Sequence, residues 1–121
     1  MGERVLIDTD SLIDYYREKL ELNPEDTYHI SEITAYEFVR GTKDIEETKK
    51  MIEESFPIVW LDNRIMIKAS QIWRDLKKKG ELIEDRDLIV GATAIVEGLK
   101  LFTRNAGHYD KLRQYELNFY R

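Results

Sequence analysis

Residues 4–10, Arg4-Val5-Leu6-Ile7-Asp8-Thr9-Asp10, join a short apolar run to two carboxylates. The apolar run predicts a buried strand, because strands of a parallel sheet are covered on both faces. Helix-like spacing follows from Ser11 to Leu20, and Asn23-Pro24 ends it. Asp8 would therefore lie at the carboxyl end of a strand, which is the edge of a parallel sheet where ligands bind.

The rest of the chain alternates strand-like and helix-like segments. Further strands are predicted at 28–30, 57–61, 100–103 and 117–120. Further helices are predicted at 32–40, 44–54, 87–97 and 108–115, and a long one with Ile65, Ala69, Ile72 and Leu76 on one face that Gly80 ends. This alternation predicts an α/β fold of three layers, α/β/α, around a mostly parallel central sheet of four to five strands, formed by a single domain over residues 1–121.

The composition excludes several classes of site. The 121 residues include no cysteine, so disulfides, thiolate metal sites and cysteine nucleophiles are absent. With only His29 and His108, an all-histidine zinc site is not expected, and any metal would be held by oxygen, which favours Mg²⁺ or Mn²⁺. No signal peptide and no apolar run of roughly 20 residues is visible, so we expect a cytoplasmic protein with no membrane partner.

Asp8 and Glu37 each have a structural and a functional interpretation. Asp8 could cap the first helix or bind a ligand at the mouth of the sheet. Glu37 lies among apolar residues, so it should point inward or into a cleft, where a carboxylate needs a partner. Thr34 and Glu37 also match a capping box, but Ser31 is the better helix start and leaves Glu37 in mid-helix.

Polar groups also occur at two later element boundaries. Asp85 and Asp87 precede a run of small apolar residues, where the dipole of a starting helix alone would favour negative charge. Asn105 follows a strand and offers a neutral oxygen ligand, although an Asx turn is the better explanation when this residue is taken alone. His108 could act as a general base, bind phosphate or cap the last helix.

These acids become informative when they are taken together. Carboxylates gathered in one cleft repel each other, which raises the pKa of each unless a cation neutralises them. A divalent ion would remove that repulsion, activate water and stabilise the leaving oxygen of a phosphodiester. The sequence therefore predicts that Asp8, Glu37 and Asp87 share one pocket that a divalent ion occupies.

Four segments, in order, resemble the motifs of the PIN domain, specifically of the VapC type of toxin ribonuclease. Residues 5–13 (VLIDTDSLI) resemble an apolar strand followed by Asp-Thr-Asn/Asp, and residues 30–41 resemble the second motif, which supplies the acid Glu37. Residues 87–94 (DLIVGATA) are similar to Asp-x-Leu-Ile-Ala-Ala-Thr-Ala, and residues 101–105 (LFTRN) resemble the closing Thr-Arg-Asn. The resemblance covers almost the whole chain.

The resemblance implies a PIN-like fold and an endoribonuclease that depends on Mg²⁺ or Mn²⁺. Asp8 and Asp87 would be the principal metal ligands, and Glu37 would complete the acidic cluster. Asp85 lies where many members have an extra acid that could also bind metal. Asn105 falls at the fourth catalytic position, which is often Asp and often Asn.

The resemblance also implies partners. RNA would be the substrate, and basic side chains outside the cleft would steer it, for which Arg40, Arg86 and Arg104 are the candidates. Homodimers and a cognate VapB-like antitoxin that inserts into the active-site cleft are expected. His108 departs from the pattern, because many members have Asp before the aromatic residue. If that Asp helps to bind a second metal, this chain would hold only one metal tightly.

Two other functions fit part of the sequence. Asp8-Thr9-Asp10-Ser11 resembles the Asp-x-Asp motif of haloacid-dehalogenase-like phosphatases, in which Asp8 would be a nucleophile and Asp10 an acid/base. That interpretation leaves Glu37 without a role. A non-catalytic PIN-like module for RNA binding or assembly is the other alternative, and a lack of Mn²⁺ affinity would favour it.

Overall fold

A computed structural model describes residues 2–121, and a four-stranded sheet forms its centre. The strands are β1 (Arg4–Ile7), β2 (Thr27–Ser31), β3 (Ile58–Val59) and β4 (Lys100–Phe102). They lie in the order β3-β2-β1-β4, and every pair is parallel. The carboxyl ends of all four strands therefore meet at one edge.

Five α-helices and one 3₁₀ helix connect or follow the strands. They are α1 (Thr9–Tyr16), α2 (Glu32–Arg40), α3 (Ile45–Ser55), α4 (Asn63–Lys79), α5 (Asp85–Glu97) and the 3₁₀ helix (Ala106–Tyr115). Within residues 2–121, no helix combines the length and the apolar character needed to cross a bilayer.

The two faces of the sheet are covered by different helices. Val5 and Ile7 of β1 pack with buried residues of α1, α2 and α3, whereas Leu6 packs with α4, α5 and the 3₁₀ helix. This division follows from the alternation of side chains along a strand. The three-layer α/β/α fold with a parallel central sheet is thereby confirmed.

The largest differences between the predicted and the observed elements lie at the end of the first helix and near the end of the chain. The first helix was expected to reach Leu20, but it ends at Tyr16, because the backbone turns into the left-handed region at Glu18, where φ is +60°. The predicted last strand at 117–120 is wrong: Phe119 makes one isolated parallel bridge with Leu101 of β4. Tyr120 instead directs its hydroxyl to Tyr28 and Asp26.

Packing against α4 and the 3₁₀ helix positions the first turn of α5. The buried face of α4 consists of the predicted stripe, Ile65, Ala69, Ile72 and Leu76. Helix α5 approaches the 3₁₀ helix so closely that a Cβ atom on Gly91 would lie 2.2 Å from Leu112 Cδ1. This tight packing fixes the first turn of α5 against the carboxyl edge of the sheet.

Candidate active site

A polar cavity of about 370 Å³ opens at the carboxyl edge of the sheet. Its walls come from the start of α1, the middle of α2, the first turn of α5 and the start of the 3₁₀ helix. Four residues singled out from the sequence line it: Asp8, Glu37, Asp87 and Asn105. The remaining lining residues are Thr9, Asp10, Ile13, Arg40, Glu84, Arg86, His108 and Tyr109.

Asp8 is both a helix cap and a wall of the cavity. Its Oδ1 accepts a hydrogen bond from the backbone N–H of Ser11 at 3.1 Å, which caps α1. Asp8 is almost fully buried, with only 3% of the residue exposed. Within residues 2–121, Oδ2 of Asp8 makes no hydrogen bond, so this oxygen is free to accept one or to bind a cation.

Glu37 lies in the middle of α2, as the sequence predicts. Ser31 caps α2 by accepting from the N–H of Thr34 at 3.1 Å, so Glu37 has no capping role. The Thr9 hydroxyl donates to Glu37 Oε1 at 2.6 Å. This bond links the start of α1 to α2 across the mouth of the sheet.

Arg86 contacts most of the polar groups in the cavity. Its Nε lies 2.9 Å from both carboxylate oxygens of Glu37, and one terminal nitrogen donates to Asp87 Oδ1 at 2.8 Å and to the Tyr109 hydroxyl at 3.0 Å. The other donates to Thr9 Oγ1 at 3.0 Å and lies 2.9 Å from Glu37 Oε1. All three guanidinium nitrogens are thus engaged, and Arg86 bridges two of the acids.

Arg86 lowers the pKa of Glu37, which was expected to be raised. Repulsion among the acids was expected to raise their pKa values unless a cation neutralised them. Burial does raise the pKa of Glu37, but hydrogen bonds from Arg86 and Thr9 outweigh it, and the pKa falls below its ordinary value. Burial opposes the charge of Arg86 as well, yet its contact with Glu37 leaves the Arg86 pKa raised. The chain therefore provides a neutralising cation itself.

Burial also raises the pKa of Tyr109. Arg86 opposes this effect, while the carboxylates of Asp87 and Asp8 add to it. Tyr109 is almost fully buried, and its hydroxyl accepts from Arg86. Tyr109 is therefore a neutral hydrogen-bonding group at the floor of the cavity at physiological pH.

The structure does not bring Asp85 to this cavity. Asp85 is exposed and lines a separate cavity between α4 and α5, beside Trp73 and Arg74. Asp85 and Asp87 are two positions apart on α5, and two steps of about 100° turn their side chains to opposite sides of a helix. Asp85 therefore lies apart from Asp87, whereas the resemblance implied that it could bind the same metal.

The three candidate RNA-binding arginines lie in different environments. Arg40 lines the cavity, with its guanidinium 5.2 Å from the centre of the Tyr36 ring. Arg86 lies inside the cavity and is fully engaged, rather than outside as expected. Arg104 is exposed, pairs with Asp14 at 2.7 Å and does not line the cavity.

Several cavity residues had no role in the ribonuclease interpretation of the sequence. Asp10 accepts a hydrogen bond from the Asn105 side chain at 2.9 Å, which joins α1 to the loop after β4. Thr9 and Asp10 follow Asp8 directly, so their position just after β1 could have indicated from the sequence that they line the cavity. Glu84 and Tyr109 gave no comparable signal, because their place in the cavity depends on how α5 and the 3₁₀ helix pack.

The chemistry of these donors fits a hard divalent cation, because carboxylate and amide oxygens are its preferred ligands. Asp8 and Asp87 are 3% and 7% exposed, and each has an oxygen without a hydrogen bond to residues 2–121. Among residues 2–121, no three Asp, Glu or His side chains lie close enough together to hold a metal ion in common. Glu37 and Asp87 are instead joined by Arg86.

Comparisons with known proteins give the family. Residues 4–113 match the family model of the PIN domain. Ribonuclease VapC1 of Methanocaldococcus jannaschii is 40% identical over 121 residues, which covers 97% of this chain and 87% of that relative.

Two solved structures are similar over most of the chain. The structure of VapBC-1 from nontypeable Haemophilus influenzae matches 97% of this chain and 96% of that chain, with a TM-score of 0.78 at 20% identity. A toxin–antitoxin complex from Klebsiella pneumoniae matches 87% of this chain and 89% of that chain, with a TM-score of 0.66 at 28% identity. With the family match and the 40% identical relative, these findings show that the chain belongs to the PIN domain family and, within it, to the VapC type.

Proposed function

We propose that this protein is a Mg²⁺- or Mn²⁺-dependent endoribonuclease and the toxin of a toxin–antitoxin pair. The observation that supports this most is that three acids from separate elements, Asp8, Glu37 and Asp87, line one cavity in a chain of the PIN family. The name of the 40% identical relative, a ribonuclease, agrees with it.

In this proposal Asp8 and Asp87 would hold the divalent ion, since each has a carboxylate oxygen without a hydrogen bond to residues 2–121. When bound, such an ion would provide Lewis-acid chemistry for the phosphodiester and would lower the pKa of the attacking water. Glu37 completes the negative charge of the site. Asn105, fixed by its hydrogen bond to Asp10, orients the attacking water.

Arg40 is the basic residue that we retain for contact with the RNA backbone. Its guanidinium is at the cavity and is not paired with an acid among residues 2–121. Tyr36 beside it is 64% exposed and could stack on an unpaired base. Arg104 is already paired with Asp14, so its contact with RNA would require that ion pair to open.

A VapB-like antitoxin and a second copy of this chain are the proposed partners. The 28% identical structure is a toxin–antitoxin complex, which supports the first of these partners. Residues with large exposed apolar side chains offer surface for such contacts: Tyr36, Ile45, Trp60, Met66, Ile67 and Trp73. A cytoplasmic location and a single domain over residues 1–121 remain predictions from the sequence.

The test is cleavage of single-stranded RNA by the purified protein with Mg²⁺ or with EDTA. Wild-type protein should cleave only with the ion, and Asp87→Asn should lose cleavage because a principal ligand loses its charge. Asp85→Asn is the matched control, since it makes the same change two residues away on the other side of α5. Undiminished cleavage by Asp87→Asn would refute the site, and cleavage that persists in EDTA would refute the metal.

Two further measurements, Mn²⁺ binding and hydrolysis of a phosphate monoester, separate the alternatives. A non-catalytic module would neither cleave RNA nor bind Mn²⁺. A phosphatase would hydrolyse phosphate monoesters through Asp8 and would not need Glu37. The position of Glu37 in the same cavity as Asp8 therefore argues against this alternative.

A further inference from the structure

Arg86 combines features that exposed arginines of this chain do not share. Its side chain is 30% exposed, while the acids it joins, Glu37 and Asp87, are 17% and 10% exposed. It also donates to Thr9 and Tyr109, so one guanidinium connects α1, α2, α5 and the 3₁₀ helix. Arg64 provides the contrast, because it also joins two acids, Asp62 and Glu97, but is 62% exposed.

A guanidinium in this position and a divalent ion compete for the same oxygens. Arg86 contacts both oxygens of Glu37, the third carboxylate that an ion would use. It also contacts one of the two oxygens of Asp87, a principal ligand in the proposal. An ion between Asp8 and Asp87 would also lie close to a positive charge among buried groups, where solvent screens the repulsion less than at the surface. Full binding of the ion by all three acids therefore requires Arg86 to move.

We propose that Arg86 is a built-in competitor of the divalent ion, which neutralises Glu37 and Asp87 in the metal-free protein and weakens metal binding. This inference rests on the proposed metal-dependent function. Arg86 is a positioning residue in this scheme, since it acts on the ion through the acids. Its partial exposure leaves a path by which the side chain can turn towards solvent when the ion enters.

The test measures Mn²⁺ binding directly, by titration calorimetry or by the electron spin resonance signal of free Mn²⁺, without any RNA. Arg86→Gln should bind Mn²⁺ about tenfold tighter than wild type, because the ion no longer displaces charge-assisted hydrogen bonds. Arg64→Gln is the matched control, since it removes the same charge from between two acids at an exposed position. Its affinity for Mn²⁺ should stay within about twofold of wild type.

Arg86→Lys keeps the charge but cannot bridge both acids in the same way, so its affinity should fall between those of wild type and Arg86→Gln. If Arg86→Gln does not fold without metal, the Mn²⁺ affinity of Arg86→Lys still tests the inference. Equal or weaker Mn²⁺ binding by the folded Arg86 variants would overturn the inference. If wild type still cleaves RNA with Mg²⁺ in that case, the proposed function stands, whereas no Mn²⁺ binding by any variant would overturn both.

Discussion

The two edges of the parallel sheet both contain charged side chains, but they hold them differently. At the amino edge, Glu3 pairs with Lys100, and both side chains are nearly half exposed. At the carboxyl edge, Asp8 and Asp87 are buried, and Asp87 shares Arg86 with Glu37. Glu3 thus has a cationic partner of its own and is open to solvent, whereas Glu37 and Asp87 share one cation.

This difference indicates where chemistry can occur. An exposed ion pair contributes little to stability and is screened by salt, so it can be removed at small cost. Buried carboxylates are expensive unless a cation neutralises them, so their retention at one edge calls for an explanation other than stability. The predictions below contrast the two edges, from the largest expected effect to the smallest.

The largest effect concerns cleavage. Asp8→Asn should reduce RNA cleavage by at least about a hundredfold, because a metal ligand that contributes several kcal/mol of charge stabilisation is lost. Glu3→Gln, at the amino edge, should leave the cleavage rate unchanged. Rates measured on one labelled RNA under single-turnover conditions give the comparison, and equal losses for both variants would contradict a site confined to the carboxyl edge.

The second effect is stabilisation by metal. Mn²⁺ at about 100 times its dissociation constant should stabilise the wild-type fold by ~2.7 kcal/mol, because the ion binds only the folded state. Asp87→Asn should remove most of this gain, while Lys100→Gln should keep it. Thermal unfolding with Mn²⁺ and with EDTA measures it. A melting temperature that does not respond to Mn²⁺ would show that the acids do not form a metal site.

The third effect is on stability without metal. Glu37→Gln should lower the free energy of unfolding by about 1–2 kcal/mol, because Arg86 loses a charged partner in a largely buried place. Glu3→Gln should cost less than about 1 kcal/mol, because its pair with Lys100 is exposed. Urea unfolding in EDTA compares them. A larger loss of stability for Glu3→Gln than for Glu37→Gln would contradict the claim that the buried ion pairs lie at the carboxyl edge.

The smallest effect comes from His29 of β2, which lies between the two edges opposite Leu6. Burial lowers the pKa of His29 from its ordinary value of 6.5, with Arg4 acting in the same direction and a backbone hydrogen bond with Val5 and the charge of Glu97 opposing it. The unfolded state therefore takes up the proton first, so stability should decline as pH falls below about 6.5 and level off below the folded-state pKa.

The matching variant is His29→Gln, which has no charge to gain over this range. The difference in free energy of unfolding between wild type and His29→Gln, measured in urea at several pH values, isolates the histidine from the acids. Parallel curves for the two proteins would show that burial does not shift the His29 pKa.

The sequence was most informative where a pattern repeats along one element. The stripe of α4, the start of α2 at Glu32 and the apolar run of β1 could all be predicted, since each depends on local periodicity or capping. Strand ends also identified Asp8 and Asn105 as candidates, because parallel strands place their carboxyl ends together.

The errors lie where a side chain's direction depends on packing between elements. Helix geometry turns Asp85 and Asp87 to opposite sides of α5, but which of them faces the cavity depends on the rotation of that helix against its neighbours. Arg86 was expected to face RNA, but its partners come from α1, α2 and the 3₁₀ helix, whose meeting point no local pattern specifies. The isolated bridge of Phe119 likewise depends on where the chain returns to β4.

The most direct measurement is the anomalous scattering of Mn²⁺ in crystals of the protein. We predict one strong peak in the cavity within about 2.5 Å of carboxylate oxygens of both Asp8 and Asp87, with the guanidinium of Arg86 turned away from Asp87. Crystals in saturating Mn²⁺ that show no peak between those two acids, and Arg86 still joining Glu37 to Asp87, would contradict the account.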